Sequence, residues 1–442
     1  MEHSNTFDIL SKQIGEIGAI DAHTHISSSH MAARGLHDIL LYHMVISDLY
    51  GAGCPSGRRL SDDPDEDEVA ARIEEAIPLL EHIQNTSCYW LMRTILSDLY
   101  DWNELITLGN WRKLDARIRS RNADHDWPRE ILKRARVQRL CTELPLRGDG
   151  SNDDILFYSL EWAFFMRNQW GVFDAPLYEL EYAWQFDKPV RPLPVTISQR
   201  QPVQRRIAAV ADVKEAMAHY CRAIPYDRIA STAHHVSTDI DYALVTDGQM
   251  QKAIDNRNNA GPVERDTYAS YLFESLLLEL EKEHSDIAFQ FSLGAEPLPF
   301  ETDSRLHQVT IKQLAEIISR HPEIKFHCYL SSKHANQSLC TLCRELPNLC
   351  LAGYWWHNFF PSSIAQVMDE RLDMLPTNRQ IGFFSDAYCV EWLYAKSKLV
   401  RMELAKALAD RIARGQYTLD GAVETARKLL HETPKRLLRL NC

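Results

Sequence analysis

The sequence predicts an α/β protein of the (β/α)8 TIM-type barrel class, with a helical insertion after its first strand. Three observations point there. Eight short β-like runs recur along the chain, and strongly amphipathic helices separate several of them. At 442 residues the chain is long enough for one large barrel with insertions, the single domain 1–442 expected here, although length alone also allows two or three smaller domains. The residues suited to chemistry fall at the C-terminal ends of the runs, where such a barrel keeps its reacting groups.

Taken in order, the first run is 18–25, where a short apolar lead-in reaches Asp21-Ala22-His23-Thr24-His25. From about 37 to 130 no strand pattern interrupts a series of helical segments, which is the expected insertion. Within it the acidic run Asp62-Asp63-Pro64-Asp65-Glu66-Asp67-Glu68 stands at a helix start, where acids suit the N-terminal dipole and Pro64 suits the first turn. The remaining strand candidates are 137–144, 192–198, 228–235, 287–294, 324–330, 348–356 and 380–386. Amphipathic helices at 310–321 and 389–415 fill gaps between and after the later ones.

Composition excludes several classes. Apolar residues make up 45% and charged residues 25%, the balance of a globular protein in water. A net charge of −12 argues against a broad nucleic-acid or anionic-membrane surface, though a local basic pocket for a small anion is allowed. No stretch approaches the ~20 apolar residues of a membrane span, and the start, MEHSNTFDIL, lacks the features of a secretion signal. Ten cysteines in 442 residues suit free thiols in a reducing cytoplasm, the expected location. Cys340 and Cys343 form a C-x-x-C inside LCTLCREL, which reads as a packed helix rather than a metal or redox site. A homo-oligomer is compatible with the composition, but no surface for one stands out.

His23 and His25 are spaced i, i+2, which in a strand puts both imidazoles on one face. Two neutral nitrogen donors on a rigid element can share a divalent metal; a bare H-x-H can equally be a solvent-facing pair, so context decides. The last run ends in Asp386, and barrel closure makes the first and eighth strands neighbours. Two imidazoles and one carboxylate then leave positions open for water or substrate, as a catalytic ion requires. Asp386 also reads as an N-cap for the helix that follows.

With these motifs in view, the chain resembles the amidohydrolase superfamily, and within it the uronate (glucuronate) isomerases. The resemblance rests on D-x-H-x-H ending the first strand, Asp48-Leu49-Tyr50, the segment from Cys88-Tyr89-Trp90, Gly353-Tyr354-Trp355-Trp356-His357-Asn358, and Ser385-Asp386. It implies one divalent ion held by His23, His25 and Asp386, with zinc the expected metal and manganese the alternative. It implies further that Asp386 moves the proton, that Tyr50 serves catalysis beside it, and that a sugar acid or related small carboxylate is the partner. Substrate contacts implied in the same way are Arg200, His234, Trp355, Trp356, Asn358, Lys333 and Tyr388.

The departures from the family pattern concentrate in the pocket. Ala233 stands where the family has Asp before a histidine, Ser331-Ser332-Lys333 replaces Asn-Pro-Arg, and Asp386-Ala387-Tyr388 replaces Asp-x-Arg. Lysine cannot reproduce the planar two-point grip of arginine. The leading expectation is therefore an aldose–ketose isomerase of a hexuronate or related sugar acid. Its rivals are a metal-dependent hydrolase or decarboxylase on the same centre, in which His327 would be a further ligand, and a non-catalytic sugar-acid-binding paralogue.

Overall fold

In the computed structural model, eight strands form one sheet in the order β1-β2-β3-β4-β5-β6-β7-β8. The structure describes residues 2–56, 64–143, 152, 154–161, 173–187, 200–224, 226–227, 229–236, 243–293, 308–331, 333–354 and 359–440. The strands are β1 Ala19–Asp21, β2 Val137–Glu143, β3 Leu156–Glu161, β4 Ile229–Val236, β5 Ala288–Leu293, β6 Lys325–Leu330, β7 Leu349–Ala352 and β8 Gln380–Ile381. Pairings run parallel, Ala19 beside Val137, His234 beside Phe291 and Phe291 beside Cys328. Consecutive parallel neighbours require a crossover each time, and helices supply it. This is the (β/α)8 class expected.

The helices are α1 Glu2–Glu16, α2 Leu36–Leu40, α3 His43–Gly51, α4 Glu66–Ala76, α5 Ser87–Tyr100, α6 Trp111–Asn122, α7 Trp127–Ala135, α8 Ala175–Phe186 and α9 Val210–Ala223. They continue as α10 Asp247–Asp255, α11 Pro262–Glu283, α12 Gln308–Arg320, α13 Asn336–Glu345, α14 Pro361–Met374, α15 Val390–Ala413, α16 Leu419–Arg427 and α17 Thr433–Leu437. Between β1 and β2 the regular elements among the described residues are helical, apart from an isolated bridge between Ser27 and His30. The acidic run caps as expected: Asp65 accepts the Glu68 amide at 2.7 Å at the head of α4. Cys340 and Cys343 lie buried in α13.

One strand assignment changes. The third strand is 156–161 (LFYSLE), a run that the sequence pattern passes over, whereas 192–198 lies outside the described residues. An acidic, loop-like lead-in (Asn152-Asp153-Asp154) hides the boundary of LFYSLE, and tertiary pairing rather than local pattern selects it.

The chain divides into two compact units. The first comprises 1–156, 296–302 and 352–435. Its core is helical and aromatic: Trp127 and Trp392 are fully buried, α1 and α7 pack on α15, and buried Glu391 accepts from Tyr100 (2.6 Å) and from the Ala33 amide (2.9 Å). A buried carboxylate satisfied on both oxygens costs far less than a bare one.

The second unit comprises 157–295, 303–351 and 436–442. Phe289, Phe291 and Phe326 stack on adjacent strands, with Phe273 of α11 against the first two. At the edge of this core Glu274 of α11 meets Arg320 at 2.8 Å and His321 at 3.3 Å, and His321 turns its other nitrogen to Glu281 at 3.1 Å. Burial alone would raise the Glu274 pKa, but His321 and Arg320 outweigh it and hold it at about 2 against an ordinary 4.5. A pKa depressed on folding contributes stability that is complete above the unfolded value near 4.5 and is lost as pH falls from there to about 2. After discounting for partial exposure this contributes about 1–3 kcal/mol. Glu274→Gln is expected to lower stability by that amount at pH 7 and to flatten its decline below pH 4.5, as read by urea denaturation across pH.

Candidate metal centre

β1 is three residues long, and the chain bends at Ala22 before running on through His23, Thr24 and His25. After β8 the chain runs alongside. The Asp386 amide donates to the His23 carbonyl (3.0 Å) and the His25 amide to the Ala387 carbonyl (2.8 Å). Thr24 adds a bond from its hydroxyl to the Ala387 carbonyl at 2.8 Å. These bonds seam the first strand's continuation to the eighth's and set three side chains together.

His23 Nε2 lies 3.5 Å from Asp386 Oδ1 and His25 Nε2 lies 3.1 Å from the same oxygen. One donor atom from each of the three residues falls within 4.8 Å of the others. Two bonds of ~2.05 Å meeting at a tetrahedral angle hold their donors about 3.3 Å apart. The two separations to the carboxylate bracket that value, and two imidazoles with one carboxylate are a donor set suited to a single divalent ion. His23 and Asp386 are buried, and His25 is partly open to solvent.

The electrostatics separate the two histidines. Burial is the main influence on His23 and lowers its pKa despite Asp386, which favours the neutral imidazole. Burial acts the same way on His25, but Tyr388, Asp386 and Glu143 together outweigh it and lift it well above its ordinary value. A bound cation would take the place of that proton. Asp386 would be raised by burial, yet hydrogen bonds from His23 and His25 and the charges of His25 and Lys396 hold it well below the carboxylate range.

Asp386 is held from behind. Its φ of 52° is left-handed, unusual for a residue with a side chain. Its carbonyl accepts from Tyr42 Oη at 2.8 Å and from Lys396 Nζ at 3.3 Å, and the lysine also donates to the Ser385 carbonyl at 2.7 Å. Lys396 is fully buried against the Phe359 ring (4.2 Å), and burial pushes its pKa down to about 8. Asp21 accepts from the Ser385 amide at 2.8 Å, and burial pushes its carboxyl up to about 7. The expected N-cap role of Asp386 is not seen: α15 begins at Val390 with Cys389 at the cap position.

A cavity of about 480 Å³ opens beside the triad, lined among others by His25, Arg34, Tyr42, His43, Glu143 and Tyr388. Tyr388 stacks on His25, ring centroids 4.8 Å apart at 15°. Glu143, at the end of β2, stands 3.6 Å from His25 Nδ1. Arg34 is forked by Asp38 at 3.0 and 2.9 Å, so its charge is already met. Tyr42, His43, Glu143 and Lys396 are not singled out by sequence, because no local pattern tells which side chains converge, though Glu143 is the penultimate residue of the strand candidate 137–144.

The other sequence-based expectations fare unequally. Tyr50 requires correction: it is 53% exposed and does not line the cavity. It lies two turns, about 10 Å, beyond His43 along α3, and its neighbour Asp48 is hydrogen-bonded by Thr86 and Cys88, which ties the helix to α5. Arg200 pairs with Asp174 at 2.9 Å and lies over the Tyr178 ring, so a carboxylate ligand would compete with Asp174. Lys333 stands in a short turn after β6, and His327 is buried in mid-strand, edge-on to Tyr329. His234 is placed by its backbone on β4, its side chain outside the described residues; Trp355, Trp356 and Asn358 lie outside them altogether.

No family model matches this chain, and no curated protein does. Solved structures do. A glucuronate isomerase from Caulobacter crescentus superposes with a TM-score of 0.80 at 15% identity, covering 100% of this chain and 95% of that one. A uronate isomerase from Thermotoga maritima gives 0.75 at 10% identity, covering 98% and 97%. A chain from Lactobacillus casei, provisionally named a metal-dependent hydrolase, gives 0.58 at 14% identity, covering 97% of each. At such identities the likeness is one of fold.

Proposed function

We infer that this chain is a divergent member of the uronate isomerase family, a metal-dependent enzyme that interconverts the aldose and ketose forms of a hexuronate or related sugar acid. The observation that carries the reading is the convergence of His23, His25 and Asp386 on one point at spacings suited to a divalent ion. The names of the structural neighbours support the choice of reaction within that chemistry. Zinc is the proposed ion, with manganese the alternative; when bound it would polarise the substrate's hydroxyl and carbonyl oxygens.

The chain's own residues supply the rest. Asp386 is ionised at neutral pH and stands against His25 of the cavity wall; its role is to take the proton from C2 and return it to C1. Lys396 and Tyr42 fix its backbone so that the carboxylate keeps its aim. Tyr388, stacked on His25, presents its phenol at the position where the family carries arginine. Lys333, His234, Trp355, Trp356 and Asn358 stay in the reading as substrate contacts.

Elemental analysis of the purified protein, followed by incubation with glucuronate and galacturonate, tests this directly. The expected result is a stoichiometric divalent ion and formation of the keto sugar, lost on chelation and regained on adding zinc or manganese. A metal-loaded protein that leaves both uronates untouched but cleaves an ester or lactone panel would instead favour hydrolysis, the chemistry attached to the Lactobacillus neighbour's name. Neither metal nor turnover would leave a binding protein.

A further inference from the structure

His23 is backed by an aromatic ring whose space comes from a missing side chain just past the end of β7. Phe384 meets His23 edge to face, centroids 5.8 Å apart at 84°, and is itself 1% exposed. Its ring lies where a Cβ on Gly353 would be: that atom would stand 1.9 Å from Phe384 Cδ1 and 2.4 Å from Cε1. No side chain fits there unless the whole ring moves, because these are ring atoms inside the core rather than the end of a flexible chain. Gly353 also holds φ +49°, which glycine adopts without penalty.

The glycine backbone is pinned on both sides. Its amide donates to the Ile381 carbonyl at 2.8 Å, tying it to β8. Its carbonyl accepts from Arg371 Nη1 at 2.5 Å, and Arg371 is 1% exposed, with its guanidinium over the Tyr354 ring at 5.3 Å. Burying an arginine to hold a main-chain oxygen carries a desolvation cost. Here the loop it fixes decides where the Phe384 ring stands.

We propose that Gly353 and Phe384 are positioning residues for the metal centre, the absent side chain of one admitting the ring of the other against His23. The inference rests on the reading of His23, His25 and Asp386 as a metal site. Groups that orient a metal-bound histidine typically change affinity 10–100-fold when altered.

Zinc affinity measured by competition with a chromogenic chelator, together with the visible spectrum of the cobalt-substituted protein, tests it. Wild-type protein is the control: if it binds neither zinc nor cobalt, the metal-site reading itself fails. Given wild-type binding, Gly353→Ala is expected to weaken zinc about 10-fold or more and to alter the cobalt spectrum. Phe384→Leu alone, which keeps the core apolar, is expected to weaken zinc about 3–10-fold. Gly353→Ala combined with Phe384→Leu should recover part of the affinity that Gly353→Ala loses, because the ring atoms at 1.9 and 2.4 Å are gone while the strain of alanine at φ +49° stays. If Gly353→Ala does not fold, Phe384→Leu decides. Wild-type affinity and spectrum in folded Phe384→Leu, or no recovery in a folded double variant, would overturn the proposal.

Discussion

Asp386→Asn is expected to lower turnover by at least ~10³-fold, the loss typical when a group moving protons is removed together with its charge. The substitution keeps the shape and the main-chain bonds to His23, Tyr42 and Lys396, so the fold should survive. It also removes the only carboxylate among the three donors, so zinc affinity should fall with activity. Steady-state rates on a uronate, alongside metal content by elemental analysis, check both. Near-normal turnover in a metal-loaded Asp386→Asn protein would remove this carboxylate from the proposed role. His23→Ala separates the effects, since it should cost metal occupancy while leaving the carboxylate in place.

Lys396→Met should destabilise the protein by about 3–5 kcal/mol, the range for removing one member of a buried charged network. The Ser385 and Asp386 carbonyls would both lose the bond that the lysine donates. Methionine fills similar volume among Tyr42 and Phe359, so packing loss is a small part of the change. The measurement is the denaturation midpoint at unchanged m-value, with zinc affinity alongside. Because the lysine holds Asp386 in a left-handed conformation, affinity should fall as well. A variant within about 1 kcal/mol of wild type would mean that Tyr42 alone suffices to hold that backbone.

How far the sequence reveals this arrangement depends on the range of the signal. His23 and His25 announce themselves because a period of two fixes their common face whatever surrounds them. Asp386 is readable through one topological rule, that reacting groups gather at strand ends and the last strand closes on the first. The third strand is misread because LFYSLE has no glycine or proline boundary, whereas 192–198 is flanked by prolines and rich in β-branched residues. The eighth strand is only two residues long, since Gly382 turns to the Leu429 carbonyl (2.9 Å) and the path to Asp386 leaves the ladder.

Tyr50 shows the opposite failure. Matching a short motif fixes a residue's name but not its height along a helix, and Tyr42 and His43 hold the cavity position instead. Lys396 has no sequence signal at all: within α15 it is one more residue of a long helix that the fold buries on most sides. Only the fold shows that it sits beneath the carboxylate.

The seam between His23, His25 and residues 386–387 has a consequence for assembly order. The donors it unites are separated by more than 360 positions, so nascent chain shorter than that cannot capture an ion with this set. Loop-closure entropy for so distant a contact is met only as the intervening units of secondary structure collapse and shorten the gap. An ion held by this full set would therefore load at the end of folding, as a lock on the finished barrel rather than a template for building it.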